Sequence, residues 1–166
     1  DEAEVAVHRA VYQAVQASQW NIWLCAVFLQ CRIALFQGNF EAVLSALQQV
    51  RAEVMDNNRF VYYHTVDLME AHVYSHLSQP QKVAPWLIRG EITETKLLFP
   101  AVPILHTVFG RVLLETGEYK KLMGLSPAFL NTASIFPNTL CQIYIYIHWA
   151  SACHRIYKKE EAIEFL

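Results

Sequence analysis

The sequence predicts an all-α fold, a helical-hairpin solenoid with a repeat of about 40 residues. Two observations carry this. First, a short turn-like phrase closes one apolar helical run and opens another at Gln37-Gly38-Asn39-Phe40, Leu77-Ser78-Gln79-Pro80, Thr116-Gly117-Glu118-Tyr119 and Ile156-Tyr157-Lys158-Lys159. From Gly38 to Ser78 to Gly117 to Tyr157 the steps are 40, 39 and 40 residues. Second, the residue seven before each turn is small (Cys31, Ala71, Gly110, Ala150), and the residue five after it is apolar (Val43, Val83, Leu122, Ala162). Small residues let the two helices of a hairpin approach, and the apolar column packs back on them. Repeats of this kind bury their apolar faces on their neighbours and leave one long surface free.

The elements follow in order from capping and breaking residues. Residues 2–17, with Val5, Ala6, Ala10, Val11, Ala14 and Val15 at helical spacing, form an amphipathic lead-in helix. Ser18 is placed to cap the next helix. The first hairpin, near 19–55, joins an apolar helix from Trp20 to a return helix opened by Asn39 and Phe40. Asp56-Asn57-Asn58 closes it. The second, near 59–88, is a long helix followed by a shorter one beginning at Pro80 and ended by Gly90. Residues 92–98 read as a connector. Pro100 and Pro103 fit only a first helical turn, so the third hairpin, near 99–135, opens near Phe99. After Gly117 a short helix reaches about Gly124, and Ser126-Pro127 start another through Ile135. The fourth, near 139–166, contains Ile143-Tyr144-Ile145-Tyr146-Ile147, whose alternation alone reads as a strand. Repeat phase assigns it to a helix, because a lone strand would have no partner.

Composition excludes several classes. The chain has 166 residues, 54% hydrophobic and 17% charged, which describes one core-rich domain over 1–166 rather than a disordered segment. A net charge of -2 lacks the basic excess that duplex phosphates require. Arg32, Glu70, His72 and Arg111 interrupt the apolar stretches, so no membrane span is expected. Cys25, Cys31, Cys141 and Cys153, widely spaced inside helical runs, read as buried thiols in a reducing cytoplasm. The start at Asp1 without a basic leader, and an end inside a return helix, lead us to expect a piece of a longer chain.

Gln19-Trp20-Asn21-Ile22-Trp23 leading to Gln37-Gly38-Asn39-Phe40-Glu41-Ala42, then Leu97-Leu98-Phe99-Pro100-Ala101-Val102-Pro103, Gly117-Glu118-Tyr119 and Ala133-Ser134-Ile135-Phe136-Pro137-Asn138, give the chain a family likeness. It resembles the tetratricopeptide-like effector domain of large LuxR-type transcriptional regulators related to the maltose regulator. The resemblance implies a cytoplasmic sensor of a small-molecule inducer or peptide, with other modules of the parent regulator as partners and self-association among its outcomes. It implies DNA binding only through a helix-turn-helix elsewhere in the parent. In that family an ATP-binding module also flanks the repeats; no phosphate loop occurs in this segment, its glycines being scattered singly, so by the resemblance nucleotide chemistry would belong to the parent chain. No cofactor is expected in this segment.

In tetratricopeptide-type stacking, the concave groove is lined by first-helix positions thirteen, ten, six and three before each turn. Six before stand Arg32, His72, Arg111 and Ser151, a polar column inside apolar helices. Thr65 and Tyr144 stand thirteen before, Phe28 and Thr107 ten before. These eight residues are the candidate ligand contacts, suited to an anionic or hydroxyl-rich ligand or an acidic peptide. The competing reading pairs Arg32 and Arg111 with Glu70 or Glu115 to knit repeats together. The pairs Trp20 with Trp23 and Tyr62 with Tyr63 could stack on a sugar, although at helical spacing they read first as core.

His64, His72 and His76 share a stripe without the carboxylate spacing of a metal site, and no metal is assigned. His106, His148 and His154 read as satisfied core or groove residues, and no nucleophile-base arrangement appears. The sequence therefore points to a binding module rather than an enzyme. The alternative is a protein-interaction scaffold without a small effector.

Overall fold

The computed structural model describes residues 2–92, 97, 101–135 and 138–156. Among the described residues there are eight α-helices and no strand. They are α1 (Glu2–Gln16), α2 (Trp20–Phe36), α3 (Phe40–Asp56), α4 (Tyr63–His76), α5 (Pro85–Arg89), α6 (Val102–Glu115), α7 (Tyr119–Ile135) and α8 (Thr139–Arg155). Short 3-10 segments, Phe60–Tyr62 and Pro80–Lys82, precede α4 and α5. The alternating stretch 143–147 lies within α8. No described helix is long and apolar enough to cross a membrane.

One local device ends most of the helices. Ser18, Gly38, Asn58, Ser78, Gly90 and Gly117 all have positive φ, between 53° and 76°. At each, the next N–H bonds a carbonyl five residues back: Gln19 to Ala14, Asn39 to Ala34, Arg59 to Val54, Gln79 to Tyr74, Glu91 to Trp86 and Glu118 to Leu113, at 2.8–2.9 Å. This is the left-handed helix stop that satisfies the last carbonyls. Ser18, Gly38, Asn58 and Ser78 follow one another every 20 residues, half the sequence period. Ser18 is thus a helix stop and not the N-cap expected; Gln19 holds the cap position without a side-chain bond. Asn39 does cap α3, its Oδ1 accepting from Ala42 N at 3.2 Å.

The chain divides into two compact units, Asp1–Val73 and Tyr74–Leu166. In the first, α2 packs on α1 and α3 around Leu24, Val27, Cys31, Val43, Leu47, Val50 and Val54. Arg51 of α3 reaches α4, bonding Asp67 at 2.7 Å and both oxygens of Glu70. Those bonds hold its proton more tightly than usual against the opposing effect of burial. In the second unit α6, α7 and α8 pack mutually around Leu105, Val108, Val112, Leu113, Leu122, Phe129 and Ile145. The small column is buried at Cys31, Ala71, Gly110 and Ala150, and so are Val43, Val83 and Leu122 of the apolar column; Ala162 lies outside the described residues.

Other expectations need correction. Residues 119–135 form one helix, with Pro127 inside it. The buried face of Leu122, Ser126, Phe129 and Ala133 runs through the proline, and packing of that face overrides a break costing about 3 kcal/mol in an unsupported helix. The Ser126 hydroxyl donates to the Leu122 carbonyl at 2.8 Å. Conversely, the short helix expected from Pro80 is split, because Pro85 drives Ala84 to φ -56°, ψ 134°, outside the helical region. The helix expected near Phe99 begins at Val102 with a proline in its first turn; Phe99, Pro100 and most of the expected connector lie outside the described residues. Cys31, Cys141 and Cys153 are buried as expected, whereas Cys25 is exposed; none of the four forms a disulfide.

Candidate binding site on helices α6 and α8

The eight candidate residues fall into both units. In the first, Phe28 and His72 come together, their rings meeting edge to face at 5.0 Å. Thr65 keeps a buried Oγ1 without a hydrogen bond. Arg32 is half-buried. Glu70, considered as its partner, is instead held by Arg51. The tryptophans serve the fold here: the Arg59 guanidinium lies 3.4 Å from the Trp20 ring centre, and Trp20 meets Trp23 edge-on at 5.7 Å. Tyr63 likewise lies under Arg51, at 5.0 Å.

This unit also holds a cleft of about 130 Å³, lined by Glu4, His8, Gln30, Cys31, Gln37 and Asn39 among others. It contains none of the predicted residues. Burial pushes the Cys31 thiol up to about 11, so it stays protonated and unreactive at neutral pH.

In the second unit the predicted residues Thr107 and Arg111 stand one turn apart on α6, and Tyr144 and Ser151 stand on α8. Arg111 pairs with Glu115 through Nη2 at 2.8 Å, one turn along the same helix, so the pair does not join one repeat to another. Its Nε remains buried without an acceptor, and so does the Thr107 hydroxyl. Ser151 is spent locally, donating to the Ile147 carbonyl at 2.7 Å.

The residue that sequence reasoning missed is His148. It stands one turn after Tyr144, their ring centres 6.3 Å apart, and is 5% exposed. Contrary to the expectation of a satisfied core histidine, its Nδ1 has no hydrogen-bond partner. Burial first, and then the charges of Arg111 and His76, hold its pKa down to about 4. Gly110 makes this proximity possible: a methyl group there would sit 3.0 Å from His148 Nδ1 and 3.5 Å from Leu122 Cδ1. The glycine of the small-residue column thus seats both α7 and α8 on α6. In the sequence Tyr144 and His148 stand at i, i+4, a spacing that does not by itself separate a site residue from core.

The cluster therefore offers three buried polar atoms in want of partners, Thr107 Oγ1, Arg111 Nε and His148 Nδ1. Native interiors satisfy nearly all such groups, each costing about 1–3 kcal/mol when left unmade. No protein-family model, curated protein or solved structure matches the chain.

Proposed function

We propose that this chain is a helical-repeat sensor module that binds an effector, a small molecule or a peptide, at the α6–α8 cluster. It passes occupancy to the other modules of a LuxR-type transcriptional regulator. The observation that carries the binding reading is the set of unpartnered buried atoms at Thr107, Arg111 and His148. A ligand that bonds them removes a standing energetic cost, so occupied and empty forms differ in free energy at this position. Differential binding of that kind is what shifts a conformational population.

Support for the finer architecture, a solenoid of 40-residue hairpins, comes from the helix stops at 20-residue intervals and from the buried small column. The regulator assignment rests on the sequence resemblance. In this reading, contacts with DNA belong to the parent chain.

The test is a thermal-shift screen with sugars, phosphorylated metabolites, organic acids and acidic peptides, followed by calorimetry on any hit. A concentration-dependent rise in midpoint, weakened by Arg111→Ala, supports the sensor. A loss of several kcal/mol of stability in Arg111→Ala with no hit of any class favours the scaffold, in which the Arg111–Glu115 pair is structural.

A further inference from the structure

We infer that the α6–α8 cluster is an oxyanion site, taking one carboxylate or phosphate group between Thr107, Arg111 and His148; the inference rests on the binding function proposed above. The hydrogen-bond inventory points this way. Arg111 Nε can only donate, the Thr107 hydroxyl can donate or accept, and His148 Nδ1 donates in the tautomer that the inference requires, with its proton on that nitrogen. The carboxylate on the same face, Glu115, is already engaged by Arg111 Nη2 at 2.8 Å and by the Ser78 hydroxyl at 3.2 Å. What the site lacks is an acceptor with several lone pairs, which an oxyanion supplies and an ammonium group cannot.

Electrostatics narrows the class further. Arg111, which opposes protonation of His148, adds positive potential at its ring, with Glu115 as the counter-charge on its Nη2. A neutral polyol would satisfy the hydrogen bonds without exploiting that potential. The Arg111 guanidinium disfavours a second cation beside it. Local packing accompanies the charge: His148 is 5% exposed with Nδ1 unpartnered, and the missing side chain at Gly110 lets that ring close on α6, a Cβ there falling 3.0 Å from the nitrogen.

The experiment is calorimetric titration of the whole chain, near neutral pH, with sodium phosphate, sodium succinate and glucose, repeated on Thr107→Val and His148→Gln. Thr107→Val keeps the shape of the side chain and deletes an unpaired hydroxyl, so the empty protein folds with an unchanged or higher Tm. We expect one of the two anions to bind saturably at one site, and Thr107→Val and His148→Gln each to weaken it tenfold or more. Binding of phosphate alone or of succinate alone identifies which group the site selects. Affinity undiminished in both variants, or no binding of either anion, overturns the inference. If glucose or another neutral compound binds through Arg111 while both anions fail, the sensor function stands and the oxyanion class falls. If no compound of any class binds, both fall.

Discussion

At His148 the imidazole stays neutral because burial, Arg111 and His76 all oppose its charge. An unfolded chain takes up that proton near pH 6.5, the folded one only near 4. Between those values the unfolded state binds more protons, so stability falls as acid is added. Above the window this group contributes no slope, and below it the loss is complete. The gap corresponds to a loss on the order of 3 kcal/mol. Urea unfolding at a series of pH values measures it, and His148→Gln should flatten the curve across the window. Thr107→Val belongs to the same scale: removing an unpaired buried hydroxyl should stabilise the empty protein by about 1 kcal/mol. Arg51→Ala should act oppositely. It leaves Asp67 nearly buried without its cation and should cost about 2 kcal/mol or more, read from the shift in urea midpoint. Arg111 was legible in the sequence as a member of the polar column, and Thr107 as a groove position ten before the turn. His148 was not, because a histidine among aliphatic residues reads as core until its unpaired nitrogen is seen.

The helices are specified most sharply at their ends. Five of the six left-handed stops precede a described helix or 3-10 segment within a few residues, and those at Gly38 and Gly117 were readable because glycine announces them. Ser18 and Asn58 perform the same role without glycine, which is why Ser18 reads as an N-cap from sequence. Ser18→Gly should relieve a conformation that costs an L-residue roughly 1 kcal/mol, giving a net gain of about 0.5 kcal/mol after the added freedom of the unfolded chain. Asn39→Ala should lose about 1 kcal/mol with the α3 cap. Paired thermal melts of the two variants check both signs. Pro127 and Pro85 show where punctuation misleads. The first is carried through a helix by the buried face of α7, whereas Pro85 holds Ala84 at ψ 134° and splits its segment although Val83 and Leu87 on either side are buried.

For the whole molecule, the all-α class follows from apolar periodicity interrupted by turns, since a chain with 54% hydrophobic residues and few glycines must bury long amphipathic helices. The small and apolar columns read from the sequence are buried wherever they are described. It could not rank the eight groove candidates, because position along a helix does not reveal whether a neighbour already satisfies the side chain. Ser151 bonds its own helix, Arg111 only partly spends its donors on Glu115, and Thr107 spends none. That accounting singles out Thr107 and Arg111 among the predicted residues of the second unit.

The most direct test of the α6–α8 site is nitrogen-15 NMR of ring-labelled histidines during titration with phosphate and with succinate. We predict that the His148 resonances move saturably with one of the two anions while those of exposed His8 stay fixed. Binding detected by calorimetry with the His148 signals unmoved would contradict recognition at this cluster.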